Sequence, residues 1–408
     1  MKITIIGAGI SGLLSAYYLV KRGYEVEIFE ESNRAGGLIK TMGSPYGPMD
    51  YAASSLVNSA DFEALFDDIK LEMAQIGKLA KVKNIYRGSM KRWPLNIVET
   101  IRFVAGVIKL KRSKDKGLNK GRTIDDWGKQ YLGKSGHRYL LETFLQGVYA
   151  GDGKKMSASL ILSPIFNRKK AKKIKPKVKG SIMPSFGMEQ LTERLAKYLQ
   201  KNDVKIHYSS KVNANDIDLS RPTIIATSAP AAGTLLKGMG IEAGEKLVKH
   251  DMLDLASVHL VFNEDKPLFK GFGCLFPVSE GFNCLGILAG KNGFPKEYSQ
   301  PVERWIIGGA HNRNILLQND EDIIDLALSD RKRIAGIEEK PIASIVLRRS
   351  QSLPHYTPEL EEIIDNIKLP PNLHLIGNYL GGIGLSAILK ESQKLAVNIE
   401  DKKRRSIE

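Results

Sequence analysis

Cysteine is nearly absent from this 408-residue chain. Cys274 and Cys284 are the only two, which excludes a disulfide scaffold and a four-cysteine metal site. Both read as small apolar residues in a reducing compartment. Histidine is scarce too, with seven scattered residues and no pair at helical ligand spacing, so nothing points to a metal enzyme. Long apolar runs are missing. The stretch that comes nearest to a spanning length, Ile3 to Val20, carries no charge, but three glycines interrupt it and no basic segment precedes it. It reads as a buried strand, a glycine turn and a buried helix, so a soluble or monotopic protein is expected. Acidic residues are the minority: 45 Asp+Glu against 61 Lys+Arg leave a net charge of +16. Half of that excess sits in Arg168 to Lys179 (RKKAKKIKPKVK), which has eight basic and no acidic residues. Such a run is most often a solvated loop, and its functional alternative is contact with an anionic membrane surface or an anionic substrate. No groove-reading motif or aromatic-interleaved basic repeat accompanies it, so nucleic acid is not an expected partner.

What is present is ordinary globular composition, with 42% hydrophobic and 26% charged residues, in a chain long enough for about two to three domains. Lys2–Ile6 has the apolar, β-branched texture of a central parallel strand. Gly7-Ala8-Gly9-Ile10-Ser11-Gly12 follows, then a helical stretch from Leu13 to about Arg22, and a second strand, Glu25–Phe29, ending at Glu30. This is the dinucleotide fingerprint in its confirming context. Gly7 allows the tight turn, Gly9 lets the backbone approach a pyrophosphate, and Gly12 permits close packing of helix on strand. The helix N-terminus, with free N–H groups and about half a positive charge, receives the phosphates. Glu30 is placed to accept hydrogen bonds from the adenosine ribose, and its charge disfavours a 2′-phosphate.

An NAD site would be complete within one half of a doubly wound sheet, whereas FAD is longer and needs a contact from a distant loop. Two further features suit FAD. Arg34-Ala35-Gly36-Gly37 follows Glu30 closely, and a late strand, Leu373–Ile376, runs into Gly377-Asn378-Tyr379-Leu380-Gly381-Gly382-Ile383-Gly384 and a closing helix to about Ile399. The N-terminus of that helix would place positive dipole near the flavin pyrimidine ring.

Between these ends the texture changes twice. The segment from about Leu79 to Lys179 looks mainly helical. Asn96 with Glu99 and Thr123 with Asp126 form capping patterns, Ile97, Ile101, Val104 and Ile108 recur at helical spacing, and Ser135–Gln146 reads as another helix. From Ser185 the chain returns to α/β texture, with a helix at Met188–Leu199 and strands at Lys205–Tyr208 and Pro222–Ala226. Residues 252–310 read as several strands, and Asp322–Ile334 as an amphipathic helix.

The combination of GAGISG, Glu30, RAGG and GNYLGGIG resembles the FAD-dependent amine oxidase superfamily. Further segments are similar to protoporphyrinogen oxidases: Gly147-Val148-Tyr149-Ala150-Gly151-Asp152, Gly271-Phe272-Gly273-Cys274-Leu275-Phe276-Pro277, and Ser352-Leu353-Pro354-His355-Tyr356. The matches are collinear over essentially the whole chain. The resemblance implies an α/β fold with a discontinuous Rossmann-like, p-hydroxybenzoate-hydroxylase-like FAD-binding domain (1–75, 180–235 and 345–408). It also implies a helical domain (76–179) that can touch membranes and a β-rich substrate domain (236–344). Carried over by position, Gly7, Gly9, Ile10, Ser11, Gly12, Glu30, Arg34, Gly36 and Gly37 would hold the adenosine diphosphate half of FAD. Val212 would meet the adenine through its backbone. Gly377, Asn378, Gly382, Ile383, Gly384 and Leu385 would contact the flavin half.

The implied activity is oxidation of a porphyrinogen-like, anionic substrate, with oxygen reoxidising the flavin. The implied place is the cytoplasm or the inner face of a membrane, and no catalytic side chain is singled out. Two departures fall where substrate should sit: Asp50-Tyr51 leads to Ala52-Ala53 where the family usually shows Gly-Pro, and Ser386-Ala387 replace Pro-Asp. A desaturase or amine oxidase acting on another substrate, or a redox-neutral flavin isomerase, therefore stays open. Tyr379 reads as structural more readily than as an aromatic wall beside the flavin.

Overall fold

The computed structural model describes residues 1–77, 80, 82–167, 174–263 and 267–405. Five short strands form a parallel sheet in the order Lys205–His207, Glu25–Phe29, Lys2–Ile6, Thr223–Ile225 and Leu373–Leu375. Parallel strands must be covered on both faces, and the alternation of side chains supplies two cores. Ile3, Ile5 and Ile224 face one core with the helices Ile10–Val20, Glu189–Lys201 and Leu385–Arg405. Ile6, Ile225 and Leu373 face another with Ala229–Gly238 and Pro358–Asn366. The closing helix therefore runs past the expected Ile399 to Arg405.

The crossovers of this sheet carry everything else. A seven-stranded sheet runs in the order Ala343–Pro354, Met252–Val261, Val302–Gly308, Cys284–Ala289, Gly273–Leu275, Lys83–Tyr86 and Met90–Lys91. The helix Asp320–Ala335, capped by Asn319, packs on one face of it. Lys83–Tyr86 and Met90–Lys91 correct the mainly helical reading of residues 76–179: Lys83–Tyr86 pairs in parallel with Gly273–Leu275, a partner 190 or so residues away that local periodicity does not reveal. Ser135–Gln146 is not one regular helix. Ile124–Gly136 contains Gly133 at φ 71°, a π-helical turn follows at His137–Glu142, and Thr143–Tyr149 completes the segment.

Helix Ile97–Arg112 begins with the expected capping box, Glu99 N–H donating to Asn96 Oδ1 and Asn96 N–H to Glu99 Oε2, each at 2.9 Å. Its apolar stripe does not face a core. Ile97 is 79% and Ile101 63% exposed, and Leu110 is the one buried residue of the helix. The first half of the basic run, residues 168–173, lies outside the described residues. Among the described residues no helix is long and apolar enough to cross a membrane.

Glu99 also receives a bidentate Arg87 guanidinium at 2.6 and 3.0 Å and the Ser135 hydroxyl at 2.8 Å, and the Arg87 bonds first hold its carboxyl down at about 2. A carboxyl lowered on folding stabilises the native state above its ordinary value of 4.5, and this contribution is lost as pH falls towards 2. Glu99→Gln should melt below wild type at pH 7, and the gap should narrow as pH falls below 4.5 and close only by about pH 2. Thermal unfolding followed across that range checks this.

Candidate active site

Backbone hydrogen bonds align the carboxyl ends of the parallel strands. Gly7 N–H donates to the Phe29 carbonyl at 2.7 Å, Glu30 N–H to His207 at 2.9 Å, Ala226 N–H to Ile6 at 2.8 Å, and Ile376 N–H to Ile225 at 3.0 Å. Above this row opens a cavity of about 1260 Å³. Every residue singled out for the cofactor lines it except Gly12, Arg34 and Gly382.

At one end Gly9 caps helix Ile10–Val20 with no side-chain hydrogen bond to the first turn. A Cβ at Gly9 would meet nothing within 4 Å, so the missing side chain leaves open space in the cavity wall. Gly12 works differently: a Cβ there would lie 2.0 Å from the Gly7 carbonyl oxygen, so it serves packing. Gly36 N–H donates to the Ala8 carbonyl at 2.9 Å, joining the second glycine pair to the first loop. Glu30 is oriented by N–H donors from Ala8 at 2.7 Å and Ser32 at 2.9 Å. Ser210 N–H reaches the Glu30 carbonyl at 2.8 Å, which draws the 209–212 loop and Val212 to the cavity. Arg34 is a staple rather than a wall: its guanidinium donates to the carbonyls of Ala35, Gly37 and Ile39 and pairs with Glu189 at 3.1 Å.

At the other end Gly377, Asn378, Ile383, Gly384 and Leu385 line the cavity, and a Cβ at Gly384 would again meet nothing. Gly382, at φ 118°, shapes this turn without lining it. The Tyr356 hydroxyl donates to the Asn378 carbonyl and ties the turn to the segment Ser352–Tyr356. Tyr379 is fully buried in the second core, away from the cavity lining, and its hydroxyl has no partner among the described residues. It is structural.

The remaining wall comes from the large sheet and the helical layer, with Leu255, Leu285, Ile306 and Val148. Sequence reasoning missed two residues here, Arg304 and Arg349. Arg304 is 5% exposed and donates to Ser257 Oγ at 2.9 and 3.1 Å, to the Tyr51 carbonyl at 3.0 Å and to Ser54. Arg349 reaches the same Ser257 oxygen at 3.5 Å, and its buried Nε has no partner among the described residues. Burial first, and the neighbouring Arg304 charge second, lower the Arg349 guanidinium to about 9. The signal lay in alternation: in Val302–Gly308 (VERWIIG), Arg304 and Ile306 share the face opposite Trp305. Asp50 is buried and does not line the cavity. It accepts from Thr41 Oγ1 at 2.6 Å and Met188 N–H at 2.9 Å, while burial raises its pKa. Ala52 and Ala53 do line it.

Cys274 and Cys284 are free, buried and outside the lining, and burial pushes the Cys274 thiol up to about 12. Far from the sequence pattern for a metal, Asp125, His137 and Glu142 place ligand-type atoms within 4.8 Å of one another, with Lys129 already paired to Asp125 at 2.6 Å.

Residues 5–70 match the NAD(P)-binding Rossmann-like domain family. The chain is 23% identical to protoporphyrinogen oxidase 2 of Arabidopsis thaliana, over 97% of this chain and 93% of that protein. It is 24% identical to coproporphyrinogen III oxidase of Bacillus subtilis, with 94% of each covered. The chain is thus similar to porphyrinogen oxidases over nearly its whole length. Its fold is shared by reduced UDP-galactopyranose mutase, with a TM-score of 0.74 at 13% identity, over 98% of this chain and 94% of that one. The chain carries the scaffold of an FAD-dependent oxidoreductase, as the glycine motifs led us to expect. The open space at Gly9, the bare helix N-terminus and the second glycine turn fit such a cofactor.

The two glycines of the first motif should separate in mutation. Gly9→Val is expected to abolish flavin retention while leaving the fold intact, because the new side chain enters only the cavity. Gly12→Val should collapse soluble expression. Flavin absorbance per protein, beside circular dichroism, distinguishes the two outcomes.

Proposed function

We propose that this protein is an oxidase of a porphyrinogen or a closely related cyclic tetrapyrrole. The observation that carries the reading is one continuous cavity, with a dinucleotide cradle along the parallel strands and an apolar, cationic wall on the large sheet. Its volume of about 1260 Å³ exceeds the roughly 300–1,000 Å³ of ordinary ligand pockets, leaving room for a bulky substrate beside a long cofactor. Gly7, Gly9 and the first turn at Ile10 and Ser11 would hold the pyrophosphate, with Glu30 towards the ribose and Gly377 to Leu385 towards the flavin. When bound, FAD supplies the acceptor for a hydride equivalent and is reoxidised by oxygen to give hydrogen peroxide. The chain's own contribution is positioning and exclusion of water: Leu255, Leu285 and Ile306 bury the macrocycle, and no side chain has to act as an obligatory acid or base.

Anaerobic mixing of the holoprotein with coproporphyrinogen or protoporphyrinogen should bleach the visible flavin band, and admitting oxygen should restore it with release of peroxide. A flavin that neither compound reduces would overturn the reading and leave an amine oxidase, a desaturase or a redox-neutral isomerase.

The exposed stripe of helix Ile97–Arg112 also fits an anionic bilayer as its partner. Ile97, Ile101, Val104 and Ile108 are exposed on a helix that also exposes Arg102, Lys109, Lys111 and Arg112. An Ile97→Ser/Ile101→Ser double variant should cosediment several-fold less with phosphatidylglycerol vesicles than wild type, at equal flavin content. Equal cosedimentation would remove the membrane contact.

A further inference from the structure

The cavity face of the large sheet is arranged as an anion site. Arg349, Leu255 and Gly308 lie abreast on three neighbouring strands. Two residues along come Leu347, Ser257 and Ile306, and two further come Ile345, His259 and Arg304. The opposite face, with Ala256, Val258 and Trp305, is packed into an apolar core. Two guanidinium groups thus bracket one serine on the side that faces the cavity, and both line it.

Their states differ. Arg304 spends its donors on Ser257, Ser54 and the Tyr51 carbonyl; burial lowers its pKa, and the nearby Asp50 charge works against that. Among the described residues Arg349 has only the long Ser257 contact, and the Arg304 charge repels it. Among the described residues neither arginine forms an ion pair, and His259, abreast of Arg304, is held neutral by burial first and then by both cations. A largely buried cation without a counter-charge is a strongly unfavourable arrangement unless an anion completes it. The cofactor phosphates have their own cradle at Gly9 and the following helix, built on the other sheet, so they do not answer this need.

We infer that Arg349, backed by Arg304, receives a carboxylate of the substrate and makes this site selective for amphiphilic anions. A carboxylate matches the planar fork of a guanidinium through two parallel N–H···O bonds. Leu255, Leu285, Ile306 and Leu353 around the pair supply the apolar surface for the rest of the molecule. The inference rests on the oxidase reading for the macrocycle alone; the carboxylate subsite stands on the arginines.

The test uses flavin-loaded wild type, Arg349→Gln and Arg349→Lys, with coproporphyrin III, its tetramethyl ester and hexadecanoate as probes in dilute non-ionic detergent. Binding is read by porphyrin fluorescence or by perturbation of the flavin spectrum, and flavin content certifies the fold of each variant. Arg349→Gln should raise the Kd for coproporphyrin at least about tenfold and leave the ester within about twofold. Arg349→Lys, which keeps the charge and loses the fork, should fall between. Equal losses for acid and ester, or no loss for either, would overturn the subsite. Should wild type bind neither porphyrin yet hold hexadecanoate through Arg349, the tetrapyrrole reading fails and the carboxylate subsite stands. Should hexadecanoate also be indifferent to the substitution, the subsite fails as well.

Discussion

Four backbone hydrogen bonds at the carboxyl ends of five parallel strands are the constraint on which the site depends. They bring Gly7, Glu30, Ala226 and Ile376 into one row from segments spread along almost the whole chain. Ligands of open α/β sheets bind beyond that edge because the loops there diverge and the helix N-termini point towards it. The same architecture explains where the substrate wall comes from. Parallel neighbours cannot be joined by a tight turn, so each crossover must travel. The excursions between Phe29 and Lys205 and between Ile225 and Leu373 are long enough to build the helical layer and the seven-stranded sheet before returning to the row.

What the sequence disclosed follows from this division. The cofactor end was legible because its requirements fall on the backbone. Gly7 and Gly12 admit no other residue at these separations, and Glu30 follows a strand that two glycines and a helix have already placed. Arg34 was correctly assigned to this region but not to the cavity itself, since its guanidinium is consumed by the carbonyls of its own loop. The substrate wall was illegible for the opposite reason. Arg304 and Arg349 are neighbours only because Met252–Val261 lies between their two strands, and no local pattern announces that pairing.

The helical segment shows both cases within a few residues. The capping box of Asn96 and Glu99 is a local feature and was read as it stands. The stripe Ile97, Ile101, Val104 and Ile108 has the spacing of a buried face, yet it is turned outwards. Periodicity tells which residues share a face; only the tertiary arrangement tells what that face meets. Tyr379 makes the same point from inside, since a tyrosine that directly follows the cavity-lining Gly377 and Asn378 turns into the core instead.

The strand Ala343–Pro354 has a mechanical consequence. It leaves the large sheet beside Met252–Val261, carries Arg349 and Ser352 along the cavity, and passes within a few residues to His355 and Tyr356, the latter anchored on Asn378. One unbroken stretch of polypeptide therefore spans the two halves like a strut. A substrate held at Arg349 and a cofactor held at Asn378 would be spaced by the short stretch from Arg349 to Tyr356 and one hydrogen bond.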